Sequence, residues 1–129
     1  MRFFFDNNMS PNLARAMDIL ESNGNGDVIH LRDKFPETTK DIEWLHYVGR
    51  ENMILITRDQ NICKRPAELA ALRENNVGAF ILIGKNLNRW AQIKQLINHW
   101  EKIKSLANST NRPFAFKVRV KGKIEQIPL

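Results

Sequence analysis

Large apolar residues in this chain fall into short unbroken runs, separated by longer stretches where they recur every three or four positions. Phe3-Phe4-Phe5 is the first run. Three consecutive bulky side chains predict a strand buried on both faces, as in a sheet covered by helices on each side. Ser10-Pro11 supplies a cap and first-turn pair for a helix whose buried face is predicted from Leu13, Ala16, Met17 and Leu20, and Asn23-Gly24 supplies its stop. A second strand is expected at 28–31. Beyond Pro36, Thr38 and Asp41 stand three apart as in a capping box, with Asp in place of Glu, ahead of a helix facing inward through Ile42, Leu45 and Val48.

Residues 53–57, Met-Ile-Leu-Ile-Thr, form the clearest buried strand, and Asn61 to Arg65 read as a turn. Pro66 opens a third helix through Leu69 and Leu72 that stops near Asn75-Asn76, and 79–83 give a fourth strand closed by Gly84. A long helix at 87–106 carries Trp90, Ile93, Ile97, Trp100 and Ile103 on a stripe read as core, with Arg89, Lys94, Lys102 and Lys104 on its other face. Phe114, Phe116, Val118 and Val120 then alternate with Lys117, Arg119 and Lys121, and Lys121-Gly122-Lys123 turns the strand back into 124–127. Strands alternating with helices predict an α/β fold, a mostly parallel sheet between two helical layers, followed by a C-terminal β-hairpin. No linker or repeat divides the chain, so one domain over 1–129 is expected.

Two strands run straight into acids. Phe5 is followed by Asp6, and Thr57 by Arg58-Asp59. If both strands are parallel in one sheet, both acids emerge at the edge where α/β folds collect ligands. Asp6 as a simple helix cap is the structural alternative, but Ser10-Pro11 already fills that place. The second helix starts at the same edge, bringing Asp41 there together with Glu43 or its neighbour. Glu43 lies two residues after Asp41 and does not share its helical face.

Charge sharpens the picture. Residues 1–84 hold 10 Lys and Arg against 12 Asp and Glu, whereas 85–129 hold 10 against 2. A basic last third beside an acidic edge suits a polyanion such as nucleic acid, whose phosphates an acidic pocket alone would repel. The single cysteine, Cys63, leaves no internal disulfide or multi-cysteine zinc site and is read as a small buried filler. A start without a long apolar core and the lack of a spanning run predict a soluble, cytoplasmic protein, not a membrane one.

Carboxylates about 5 Å apart repel by roughly 3 kcal/mol per pair at an effective dielectric near 20. Such a cluster holds shared protons or bound cations. Oxygen donors with few histidines suit Mg²⁺ or Mn²⁺, which polarise phosphate and activate water in phosphodiester hydrolysis. Asp6, Asp41 and Asp59 are the expected metal ligands and, with Glu43, the candidate catalytic residues. Arg58, Arg65, Asn7 and Asn61 near the edge, and Lys117, Arg119 and Lys121 on the hairpin, are the candidate substrate contacts. An ion pair with Glu68 is the alternative place for Arg65.

The order and spacing of Phe4-Phe5-Asp6-Asn7-Asn8, the stretch 41–44 and Ile56-Thr57-Arg58-Asp59 resemble the acidic motifs of the PIN-like family, over about residues 2–83. More closely they resemble its short branch, which includes the VapC-type toxins of bacterial toxin-antitoxin pairs. The resemblance implies an α/β/α fold, a metal-dependent endoribonuclease, a cognate antitoxin and, typically, a homodimer. By position, Asp6 matches the first-strand acid, Asp41 or Glu43 the helix acid, and Asp59 the acid after the later strand. Where the family often places a further acid near the last, this chain has Asn61, a neutral oxygen ligand.

Two other readings use the same residues. In one, the fold is a non-catalytic module that holds RNA or a protein, and its acids are remnants. In the other, strand-end acids around Mg²⁺ accept a phosphoryl group in signalling, which leaves the basic tail unexplained.

Overall fold

The computed structural model describes residues 1–129. Six strands form one sheet: β1 (Phe3–Phe5), β2 (Val28–His30), β3 (Ile54–Thr57), β4 (Gly78–Leu82), β5 (Phe114–Val118) and β6 (Glu125–Ile127). Their spatial order is β2-β1-β3-β4-β5-β6. The first five are parallel, and β6 returns antiparallel to β5 with Phe116 opposite Gln126. Helices α1 (Pro11–Ser22), α2 (Asp41–Arg50), α3 (Pro66–Glu74) and α4 (Arg89–Ser109) cover it. The α/β fold with parallel sheet and terminal hairpin is as the sequence pattern predicts. No helix is long and apolar enough to cross a membrane.

The triple phenylalanine explains the two layers. Phe3 and Phe5 pack on one face with Met17 of α1 and Leu96, Trp100 and Ile103 of α4. Phe4 packs on the other with Trp44, Leu45 and Val48 of α2 and Ala71 and Leu72 of α3. Its ring lies stacked on Trp44 at 5.6 Å between centroids. Because Phe4 is fully buried, Phe4→Ala is expected to destabilise the fold by about 3–5 kcal/mol, read as a lower urea midpoint at unchanged slope.

The crossovers do not share one hand. The β3-α3-β4 and β4-α4-β5 connections step the same way across a parallel sheet, but α3 and α4 lie on opposite faces, so one is the mirror of the other. Right-handed connections are the strong rule, and α1, α2 and α3 agree with one another, which leaves α4 as the exception. Burial gives the reason. On its face α1 reaches only the β2 side, and without α4 the side chains of Phe80, Leu82, Phe114 and Phe116 would face water.

Several expected faces shift. In α1 the buried residues are Ala14 and Met17, with Leu13 half-buried and Leu20 74 % exposed. In α2, Trp44 replaces Ile42 as the inward residue, because Phe4 offers a ring to stack on. The capping box does not form: Lys40 is the N-cap, without a side-chain bond, and the Asp41 carboxylate instead accepts the Trp44 indole N–H at 3.2 Å. In α4, Leu96, Trp100, Ile103 and Ala107 face the sheet, while Trp90 and Ile97 are exposed. At 1.5 Å per residue a 21-residue helix outruns five-residue strands, so its first turns project past the sheet edge.

Candidate active site

The chain steps from β1 outward to β2 and then back across to β3, so the crevice at the carboxyl ends of β1 and β3 is the sheet's switch point. Asp6 leaves β1 there, and its backbone N–H still bonds Ile56 in β3 at 3.4 Å. The side chain is 3 % exposed. One carboxylate oxygen accepts the Thr57 hydroxyl and the other accepts the Asn8 N–H at 3.1 Å. Burial is the main force on its proton. Despite both hydrogen bonds, burial and the nearby charges of Asp59 and Asp41 push the Asp6 pKa up from 3.8 to about 7.

Asp59 projects to the α2–α3 side of the same edge. Its carboxylate accepts the Asn61 N–H at 3.1 Å in an Asx turn, and its own N–H donates to Thr57 Oγ1 at 3.0 Å. Thr57 thus links the two strand-end acids. Asp41, in the first turn of α2, has its pKa raised by burial and by Glu68 and Asp59, with Arg65 and the Trp44 indole opposing.

Arg65 stands among these acids. Its guanidinium bonds Asp59 through two nitrogens, reaches Asp41 at 3.5 Å and pairs with Glu68 at 3.3 Å. The Glu68 pairing is the alternative that the sequence left open, and the bonds to Asp59 and Asp41 add to it. The positive charge within the cluster is therefore the protein's own.

The donor set of Asp6, Asp41 and Asp59 is all hard oxygen, and the three carboxylates share one crevice with their charges adding to the effect of burial on Asp6, so in chemistry the residues fit a hard divalent cation. As the side chains stand, no three acidic, histidine or cysteine side chains form a ready cage, and Arg65 lies between Asp41 and Asp59. A cation at this place would exchange with that guanidinium.

The remaining predicted residues scatter around the edge. Glu43 is exposed on α2. Asn7 bridges two loops, donating to Glu37 O at 2.8 Å and accepting from Arg32 Nε at 3.3 Å. Asn61 is exposed beside Asp59. Half-buried Lys117 lines a cavity of about 200 Å³ with Gln60, Cys63, Lys64 and Ile127. Arg119 pairs with Glu125 at 3.0 Å, and Lys121 is exposed near the turn. Cys63 is half-buried, as a filler would be, and burial followed by the Asp59 charge pushes its thiol up.

Arg58 takes the opposite side of the edge from Asp59, toward α4, where its guanidinium donates to Gln95 Oε1 at 2.8 Å. Gln95 is 1 % exposed and spends its amide N–H groups on Ile83 O at 2.7 Å and Val118 O at 3.0 Å. Sequence reasoning missed Thr57 and Gln95. A hydroxyl two residues before an acid at a strand exit was available as a signal for Thr57. For Gln95 the only trace was one polar residue amid the apolar positions of α4.

The PIN like domain model matches residues 1–84, the segment that carries every acid of the cluster. No curated protein and no solved structure matches the chain. PIN-like domains are generally nucleases, which marks this fold as a nuclease-type module. With that match over 1–84, the chain belongs to the PIN-like domain family.

Proposed function

We propose that the protein is a Mg²⁺- or Mn²⁺-dependent endoribonuclease that hydrolyses RNA phosphodiester bonds at the β1–β3 crevice. The observation that carries this reading is Asp6: a buried carboxylate, fixed by Thr57 and Asn8, titrating at about 7 beside two further acids. A group that titrates near neutrality is matched to proton transfer at neutral pH. Asp6 takes the proton of a water attacking phosphorus, and the hydrogen bonds from Thr57 and Asn8 keep the accepting oxygens aimed. Asp41 and Asp59 would hold the cation beside Asp6, and when bound it would supply charge for the phosphate and acidify water. Asn61, exposed beside Asp59, stands at the rim of that site. Arg65, freed from the acids, is positioned to meet a substrate phosphate with a planar fork of donors. Asn7, Lys117, Arg119 and Lys121 would contact flanking RNA.

The test is cleavage of a mixed single-stranded and structured RNA with Mn²⁺ or Mg²⁺ against EDTA, alongside Asp59→Asn. Cutting that needs the ion and disappears in the variant is expected. Equal cutting by a nuclease-free preparation of the variant overturns the reading and leaves the non-catalytic RNA-binding module in its place.

The resemblance to VapC-type toxins extends the proposal to the toxin of a bacterial pair, cytoplasmic and restrained by a cognate antitoxin. Induction is then expected to arrest growth, and Asp59→Asn to relieve the arrest.

A further inference from the structure

On the α1–α4 side of the crevice, a recess lies between the start of α1 and the start of α4, lined by Met9, Ser10, Arg58, Arg89, Gln92 and Ile93 among others. Neither Arg58 nor Arg89 belongs to any of the protein's ion pairs. Arg58 is half-buried, and burying a guanidinium without a carboxylate partner is costly. That cost is tolerated here with the side chain held by a buried amide that is itself fully bonded. Only one guanidinium nitrogen is used in that bond, so other donors of the fork remain for a ligand. Arg89, at the first position of α4 and in none of the ion pairs, lines the same recess.

We propose that Arg58 and Arg89 form a two-arginine clamp for one phosphate of a single-stranded nucleic acid, with Gln95 as the positioning residue that orients Arg58. The inference rests on the nuclease reading for its choice of polyanion. The volume open to a small group is about 20 Å³, enough for a phosphate oxygen but not for a base, so the clamp reads backbone and not sequence. Two arginines match a phosphate bidentately where one lysine would not. The clamp is joined to the acids on both sides: Arg58 is the chain neighbour of Asp59, and Met9 donates its N–H to Asp6 O at 3.0 Å. A strand crossing the sheet edge would pass from the acids on one side to the arginines on the other.

The test is binding, without metal, of a fluorescent single-stranded oligoribonucleotide in EDTA across a range of KCl, for the parent protein, Arg58→Gln, Arg89→Gln and the double variant. Each single change is expected to weaken binding by about tenfold or more, and to lower the slope of log K against log salt by about 0.7, the value for one lost phosphate contact on a single strand. The double variant is expected to lose little beyond either single one, because both side chains grip the same phosphate. An unchanged slope in Arg89→Gln, an exposed side chain whose loss leaves the core intact, overturns the clamp. So does a double variant whose slope falls by twice the single loss, which assigns two separate phosphates.

A pair of oligomers differing only in a 5′-phosphate separates the sources. Equal losses on both assign an internal phosphate to the clamp, and losses confined to the phosphorylated one assign the terminal phosphate. Since no metal is present, failure here is distinct from failure of the nuclease reading. Retained cleavage by Asp59→Asn would sink the latter and leave the clamp standing.

Discussion

Asp6→Asn is expected to lose cleavage and gain stability at the same time. In the native protein the carboxyl titrates at about 7, against an ordinary value of 3.8. Between those two values the folded state binds more protons than the unfolded one, so stability falls as pH rises from about 4 and reaches its floor above about 7. At about 1.4 kcal/mol per pH unit, a separation of roughly three units costs the fold on the order of 4 kcal/mol at pH 8. Asn carries no charge to bury, and this slope should vanish in the variant. Urea unfolding of both proteins at pH 4.5 and pH 8 checks it: the parent should be markedly weaker at pH 8, and the variant should overtake it there. A parent whose stability is flat over this window would mean that Asp6 is not held protonated by its surroundings. Cleavage by the same variant should fall by about 10²–10⁴-fold, the usual worth of a positioned proton-transfer group. Opposite signs in the two measurements are what a strained functional residue produces.

Arg65→Gln is expected to strengthen divalent-ion binding. The guanidinium now neutralises Asp41, Asp59 and Glu68, and any cation held by Asp41 and Asp59 must first replace it. A unit charge about 4 Å away is worth roughly 4 kcal/mol at an effective dielectric of 20, and Arg65 is 40 % exposed, so solvent screens much of that. What remains should make Mn²⁺ binding about tenfold tighter in the variant, measured by titration calorimetry. Without the ion, three uncompensated acids should lower the melting temperature, and saturating Mn²⁺ should restore it. Weaker Mn²⁺ binding in Arg65→Gln would show that the guanidinium supports the ion and does not compete with it. Substrate binding should weaken in the same variant if the freed fork holds a phosphate.

The sequence disclosed the strands better than the helix faces. Phe3-Phe4-Phe5 and Ile54-Leu55-Ile56 are apolar on both sides, and runs this short and rich in aromatic or β-branched side chains read as interior strands, so the layers followed directly. Faces of α1, α2 and α4 were legible only in part. Ile42 and Trp44 are both apolar, and which turns inward depends on Phe4 lying across the gap, a contact from a strand 40 residues away. Along α4 the apolar stripe is wide, and the sheet covers only part of the helix, leaving Trp90 at 69 % exposure.

The site divides the same way. Asp6 and Asp59 were legible because the end of a buried strand can be read from local composition, and parallel strands put like ends on one edge. Glu43 was placed near them by sequence proximity, but two residues along a helix turn a side chain through about 200°, and it stands exposed. Arg65 was legible as a neighbour of Glu68 at i+3, but its bond to Asp41 spans 24 positions and has no local signature. Likewise, nothing near Arg58 in the chain announces Gln95, 37 residues later.

What the sequence determined by itself is thus the set of elements, their layers and the two acids at the strand exits, because periodicity and burial act over a few residues. Which side chains meet across the crevice was decided by the tertiary structure alone: Thr57 against Asp6, Arg65 among the acids, and Gln95 holding Arg58. Those contacts depend on strand order and on the face taken by α4, and both are fixed by the burial of the whole sheet, not by any segment of it.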